Sequence, residues 1–205
     1  MARDTEKRRA ELRDRLLDIA EREVRNNGAA SLRARALASE AGCAVGAIYN
    51  VFDDMTGLVL AVNGRTFGRL GETVTNAVAK AGPDPTEQLI TIARSYLAFA
   101  STDPNLWRAL FVADMSTDSA VPAWYLQELQ RLFAMIAAPL TKLHPDAPPD
   151  EIDLMTRTLF SSVHGIILLG LERRISGVPE AKIEEMIGFL LRRVTGADKG
   201  RVSGD

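Results

Sequence analysis

The chain has 205 residues, 46% hydrophobic and 25% charged, enough to bury the cores of one or two ordinary soluble domains. A single cysteine, Cys43, excludes an internal disulfide, and two histidines, His144 and His164, with no Glu-x-x-His or Cys-x-x-Cys spacing, support neither a metal cage nor a cofactor. The net charge of −2 does not announce a nucleic-acid partner, but residues 1–53 carry ten basic and nine acidic side chains, a net +1 against −3 for the remainder, which permits a local DNA-facing surface.

The longest uninterrupted apolar run, 165–171, is far shorter than the roughly 20 residues of a membrane span. The opening MARDTEKRRAELRDR is charged and lacks the apolar stretch of a signal peptide. A cytoplasmic chain with no membrane partner is therefore expected.

No alternating strand pattern occurs, and the segments between Pro and Gly clusters repeat their apolar residues at helical spacing, so the expected class is all-α with about nine helices. The first helix is expected over 5–27, with Leu12, Leu16, Ile19, Ala20 and Val24 in one stripe and Gly28 as its stop. A short helix over 33–41, a glycine turn at Gly42 and a third helix over 45–51 follow. The fourth, 55–80, carries Gly57, Gly64, Gly68 and Gly71 on one face, a stripe read as close helix approach or, alternatively, as bare backbone against a ligand. Breaks at Gly82-Pro83-Asp84-Pro85, Asp103-Pro104, Met115–Ser119 and Pro145–Pro149 separate helices expected over 85–102, 105–112, 122–143, 150–176 and 179–195. A boundary between two domains, 1–54 and 55–205, is expected at the start of the fourth helix.

The second and third helices, joined at Gly42, have the pattern of a helix-turn-helix. Ala20, Gly28, Arg35, Leu37-Ala38, Ala41-Gly42, Gly46, Ile48-Tyr49 and Phe52 fall in an order and register that resembles the TetR-type repressor family over about residues 10–60. Elementary chemistry supports these residue types: Gly42 accepts a left-handed turn, and small Ala44, Gly46 and Ala47 keep the third helix slim enough for the major groove. The DNA-binding set is Arg33, Arg35, Ala44, Val45, Gly46, Tyr49 and Asn50. Tyr49 reads as a phosphate donor or a half-buried core tyrosine, and Asn50 as a base or phosphate contact or a plain helix end. The chain departs from the family at Ala44, where Ser or Thr is usual, at Arg33 for Thr or Ser, and at Met55 for Lys; Arg3, Lys7, Arg8 and Arg9 are candidate replacements for the missing phosphate contacts.

Phe160-Ser161-Ser162-Val163-His164-Gly165 resembles the Trp-x-x-x-His-Gly motif of the WHG-type C-terminal domains of that family, with Phe160 at the tryptophan position. The segment Asp103–Phe111 resembles the stretch that precedes the ligand-facing helix in those domains. The resemblance implies a homodimer that binds a double-stranded DNA operator and a small hydrophobic effector. Tyr96, Phe99, Trp107, Phe111, Met115, Trp124, Phe133 and Met135 crowd the middle helices as core or pocket residues. Phe99, Trp107, Phe111, Trp124, Met135 and His164 form the candidate ligand set, His164 equally reading as a core or interface histidine. The last two helices are apolar on more than one face, and Ile166, Leu169, Ile183, Ile187 and Leu190 form the candidate dimer interface, a four-helix bundle across a two-fold axis. The competing readings are a helix-turn-helix dimer acting through a protein partner and an all-α enzyme or carrier. The second lacks paired carboxylates or a nucleophile with a base, so no enzymatic activity is expected.

Overall fold

A computed structural model describes residues 2–112, 121–172 and 179–196, and among these the chain forms nine α-helices and no strand. Met115, the loop 115–119, the expected end of the eighth helix at Ser176 and the last nine residues lie outside the described residues. The chain divides into two compact units, the first Met1–Gly68 with Asp103–Leu126, the second Arg69–Thr102 with Gln127–Asp205.

In the first unit, α1 (Ala2–Asn27) starts three residues before its expected position and ends where Gly28 turns at φ +83°. Its stripe of Leu16, Ile19, Ala20 and Val24 is buried, as the 3.6-residue spacing requires. A 3₁₀ turn, Ala29–Ser31, leads to α2 (Ala34–Ala41) and α3 (Val45–Tyr49). Gly42 adopts φ +66°, and the Cys43 amide donates to the Ala38 carbonyl at 2.9 Å, the left-handed helix stop that glycine adopts without strain. α3 ends two residues earlier than expected; the Val51 and Phe52 amides both return to the Ile48 carbonyl, at 3.0 and 2.8 Å, and the Phe52 ring lies in the core.

α4 (Met55–Val78) contributes residues 55–68 to this unit, and α6 (Pro104–Val112) packs against α1 within it. Leu16, Leu17, Val24, Leu37, Ile48, Leu58, Val62 and Leu106 share one core. Polar contacts frame it. Arg65 reaches Asp18 at 2.5 Å and Glu21 at 3.5 Å, Arg25 reaches Asp103 at 2.6 Å, and the Asn105 amide donates to the Arg25 carbonyl at 3.0 Å.

In the second unit, α9 (Ile183–Val194) packs on α5 (Pro85–Thr102) and α8 (Pro149–Leu171), beside the part of α7 (Ala123–Leu143) that follows Leu126. Asp84 caps α5 by accepting the Thr86 amide at 2.8 Å. α9 begins four residues later than expected because Glu180–Lys182 forms a 3₁₀ turn. By length and composition α8 could cross a membrane, a property the longest-run reading missed because Ser161, Ser162 and His164 interrupt its apolar sequence. Its Ile152, Leu159, Val163 and Ile167 are buried within the unit.

The glycine stripe of α4 is not one uniform close approach. A β-carbon at Gly64 would stand 2.8 Å from the Trp124 ring, one at Gly71 would make ordinary contact with Leu132 and Met135 at 3.6 Å, and one at Gly68 would meet nothing within 4 Å.

Candidate functional site

α2 and α3 bury Leu37, Ala38, Ala41 and Ile48 and turn a different set outward. Ala44, Val45, Gly46, Tyr49 and Asn50 are all exposed, Tyr49 at 47%, so the five predicted residues of the third helix form one solvent-facing surface. Ile48, fully buried, anchors it from behind. Tyr49, so exposed, is not a core tyrosine. Outside its own helix, a β-carbon on Gly46 would meet nothing within 4 Å, so no packing among the described residues demands a glycine there.

Arg33 and Arg35 are exposed as well. Arg33 folds back, donating to the carbonyls of Ala30 at 2.7 Å and Leu32 at 2.9 Å. Arg15 donates to the Ala41 carbonyl at 3.0 Å, and Arg22 pairs with Glu40, so two more α1 cations hold α2 in place. The basic opening is helical: Arg8 pairs with Asp4 at 3.0 Å and Lys7 with Glu11 at 3.8 Å, both largely exposed. Ala44, at the start of α3, offers no side-chain cap, in line with its departure from Ser or Thr.

Asp54 was not singled out by the sequence reading. Its Oδ1 accepts the Gly57 amide at 2.6 Å, which caps α4 and gives this acidic residue a structural role. The available signal was its place directly before an apolar helical repeat.

The candidate ligand residues divide between the units. Trp107, fully buried, Phe111, 48% exposed, and Trp124, 43% exposed, belong to the first; Phe99, Met135 and His164, all partly buried, belong to the second. Trp107 and Phe111 meet edge to face at 5.8 Å, and Trp124 meets Tyr125 likewise at 5.6 Å. His164 stacks on Phe160 at 5.6 Å, and its Nδ1 lies 2.9 Å from the Tyr96 hydroxyl. Burial pushes the His164 imidazole below its ordinary value, so the ring is held neutral.

Two polar groups that sequence reading missed lie in the first unit. Asn63 is fully buried, donates to the Ala109 carbonyl at 3.0 Å and lies 3.5 Å from the hydroxyl of Tyr125, itself 1% exposed. Burial raises the Tyr125 pKa, keeping it a neutral phenol. The signal for Asn63 was a polar residue at helical spacing from Thr66 and Leu70 on the inward face of α4.

The candidate interface residues also divide. Ile183 and Ile187 are buried in the chain's own core, at 1% and 0% exposure, so they cannot meet a partner directly. Ile166 and Leu190 are partly buried, and Leu169 is 41% exposed. The outward apolar residues of α8 and α9 are Leu154, Leu169, Met186, Phe189 and Val194.

Residues 16–62 match the family model described as bacterial regulatory proteins, tetR family, and residues 89–194 match that of the tetracyclin repressor-like C-terminal domain. No curated protein matches the chain. Among solved structures, a protein of unknown function from Rhodococcus sp. RHA1 aligns at TM-score 0.73 with 22% identity, covering 89% of this chain and 94% of that one. RolR in complex with resorcinol aligns at TM-score 0.69 and 20% identity, covering 93% and 90%. A TetR-family transcriptional regulator from Streptomyces coelicolor aligns at 0.64 and 22% identity, covering 91% and 98%. At these identities the likeness is one of fold.

Proposed function

Since the chain belongs to the TetR family of bacterial transcriptional regulators, we propose that it is a homodimeric repressor that a small hydrophobic effector releases from its operator. The observation that carries the DNA-reading part is the exposed face of α3, where Val45, Gly46, Tyr49 and Asn50 stand clear of the core while Ile48 fixes the helix behind them. A helix of this width fits the major groove, Asn50 offers a donor and an acceptor to a base edge, and the Tyr49 hydroxyl offers a donor to phosphate. We assign this reading to residues 1–54 and effector binding and dimerisation to 55–205.

Release is a population shift, in which the effector favours a conformation whose two reading heads no longer match the half-site spacing. The packing of α6 directly on α1, inside the same compact unit as α2 and α3, supports it. A ligand that moves α6 or the first half of α4 acts on the helix that carries the reading head. The outward apolar residues of α8 and α9 support the dimer, with Leu169 and Phe189 as its central contacts and the predicted Ile183 and Ile187 as their support from beneath. RolR, of the same fold, was solved with resorcinol, and FadR from Bacillus subtilis, also of that fold, with stearoyl-CoA, so the fold accommodates effectors of either size.

Selection of double-stranded DNA from a randomised pool tests the proposal. Enrichment of a two-fold symmetric site, its half-sites about one helical turn or roughly 34 Å apart, is the expected result. A pool with no enriched sequence, bound equally at every salt concentration, would favour the competing reading in which the helix-turn-helix serves a protein partner.

A further inference from the structure

We propose that Asn63 and Tyr125 form a hydroxyl-recognising site inside the first unit, and that the effector is accordingly a small aromatic molecule carrying a hydroxyl group. This deepens the effector reading above and rests on it. The Asn63 amide nitrogen is engaged by the Ala109 carbonyl at 3.0 Å, but its Oδ1 is buried and has no hydrogen-bond partner among the described residues. A buried acceptor left in this state costs the full desolvation of the group. Beside it, the Tyr125 hydroxyl lies 3.5 Å from Nδ2, long for a hydrogen bond, and contributes a neutral O–H whose proton Nδ2 cannot accept. A buried acceptor and an adjacent buried donor are the complement of one hydroxyl group, which donates to Oδ1 and accepts from Tyr125.

The rings around this pair set the rest of the ligand. Phe67 and Trp124 each meet Tyr125 edge to face, at 5.2 Å and 5.6 Å, and Trp124 lies over Gly64, where any side chain would collide with it. An aromatic ligand entering beside them would meet these rings in the same edge-to-face geometry. The site also has a direct route to the reading head, because Asn63 lies on α4 and its partner Ala109 on α6, the helix that packs on α1.

Phenol and toluene are the probes, differing by the one hydroxyl, and binding is measured by calorimetry on the whole chain without DNA. An apolar cavity alone favours toluene, because phenol gives up hydration of its hydroxyl on entry. The wild type is expected to bind phenol at least about tenfold more tightly than toluene. Tyr125→Phe and Asn63→Leu should each abolish that preference while toluene binding persists, and Tyr125→Phe, which deletes a single oxygen, keeps the test open if Asn63→Leu fails to fold. Equal or weaker phenol binding in the wild type, a lone water seen at Oδ1 in crystals soaked with phenol, or a preference that survives Tyr125→Phe would overturn the site. Operator release, followed separately, distinguishes the two claims. Phenol preference without release contradicts the repressor mechanism but leaves the site standing, whereas release by apolar compounds without phenol preference removes the site and leaves the mechanism.

Discussion

Tyr96 and His164 are joined through a 2.9 Å contact between the phenolic oxygen and Nδ1, with the imidazole stacked on Phe160. In the neutral ring Nδ1 can accept the Tyr96 proton; in the protonated ring it cannot. Burial holds the folded-state pKa below the ordinary 6.5 at which the unfolded chain protonates. Between those two values the unfolded state binds the extra proton, so stability is intact above about pH 6.5 and is lost as pH falls through it toward the folded value. The melting temperature should therefore drop on acidification, and His164→Gln should flatten the drop. Identical acid slopes for the two proteins would contradict the assignment.

Asp54 has two opposed effects that substitution separates. Its carboxylate caps α4 through the Gly57 amide, but it also sets a negative charge close to the reading surface. Asp54→Ala should lose about 1 kcal/mol of stability through the missing cap, or roughly 2–4 °C in Tm. Asp54→Asn keeps the cap and removes the charge. It should melt within about a degree of the wild type and bind DNA more tightly at low salt, the gain vanishing as salt rises. A gain unchanged by salt would contradict an electrostatic origin.

Ile187 and Phe189 lie two residues apart on α9, one fully buried and the other 62% exposed. Ile187→Glu places an unpaired carboxylate in the core and should cost on the order of 3–5 kcal/mol, unfolding the second unit. Phe189→Glu should fold normally and give monomers by light scattering, because the charge then sits at the partner surface. Leu169→Glu should do the same. A folded dimer from both exposed-site variants would remove this face from the interface.

Most of the helices could be read in the sequence because each carries a stripe at 3.6-residue spacing and ends at a Gly or Pro that the backbone geometry needs, Gly28 and Gly42 above all. Periodicity does not say which of two apolar faces turns inward. That is why Ile183 and Ile187 read as interface residues although their burial comes from α5 and α8, while Phe189 was passed over. The residues of α3 that stand exposed were named from the helix-turn-helix spacing together with the family resemblance. Arg33 was legible as a basic residue but not as one folded onto its own backbone carbonyls, since those contacts depend on the 3₁₀ turn that no pattern announced. Asn63 was hidden for a similar reason: its partners come from α6 and α7, some fifty residues away.

Gly46 offers the most direct test of DNA reading by α3. Apart from its own helix, no described residue comes within 4 Å of its missing β-carbon, so Gly46→Ala should fold with an equal or higher Tm, gaining up to about 1 kcal/mol of helix stability. Bound in the groove, the added methyl pushes α3 outward and loosens Tyr49 and Asn50 together. Fluorescence anisotropy on the selected DNA site should then show at least a tenfold loss of specific affinity, about 1.4 kcal/mol, with binding to unrelated DNA unchanged. Specific affinity equal to the wild type in a variant that melts no earlier would contradict the claim that this face of α3 enters the groove.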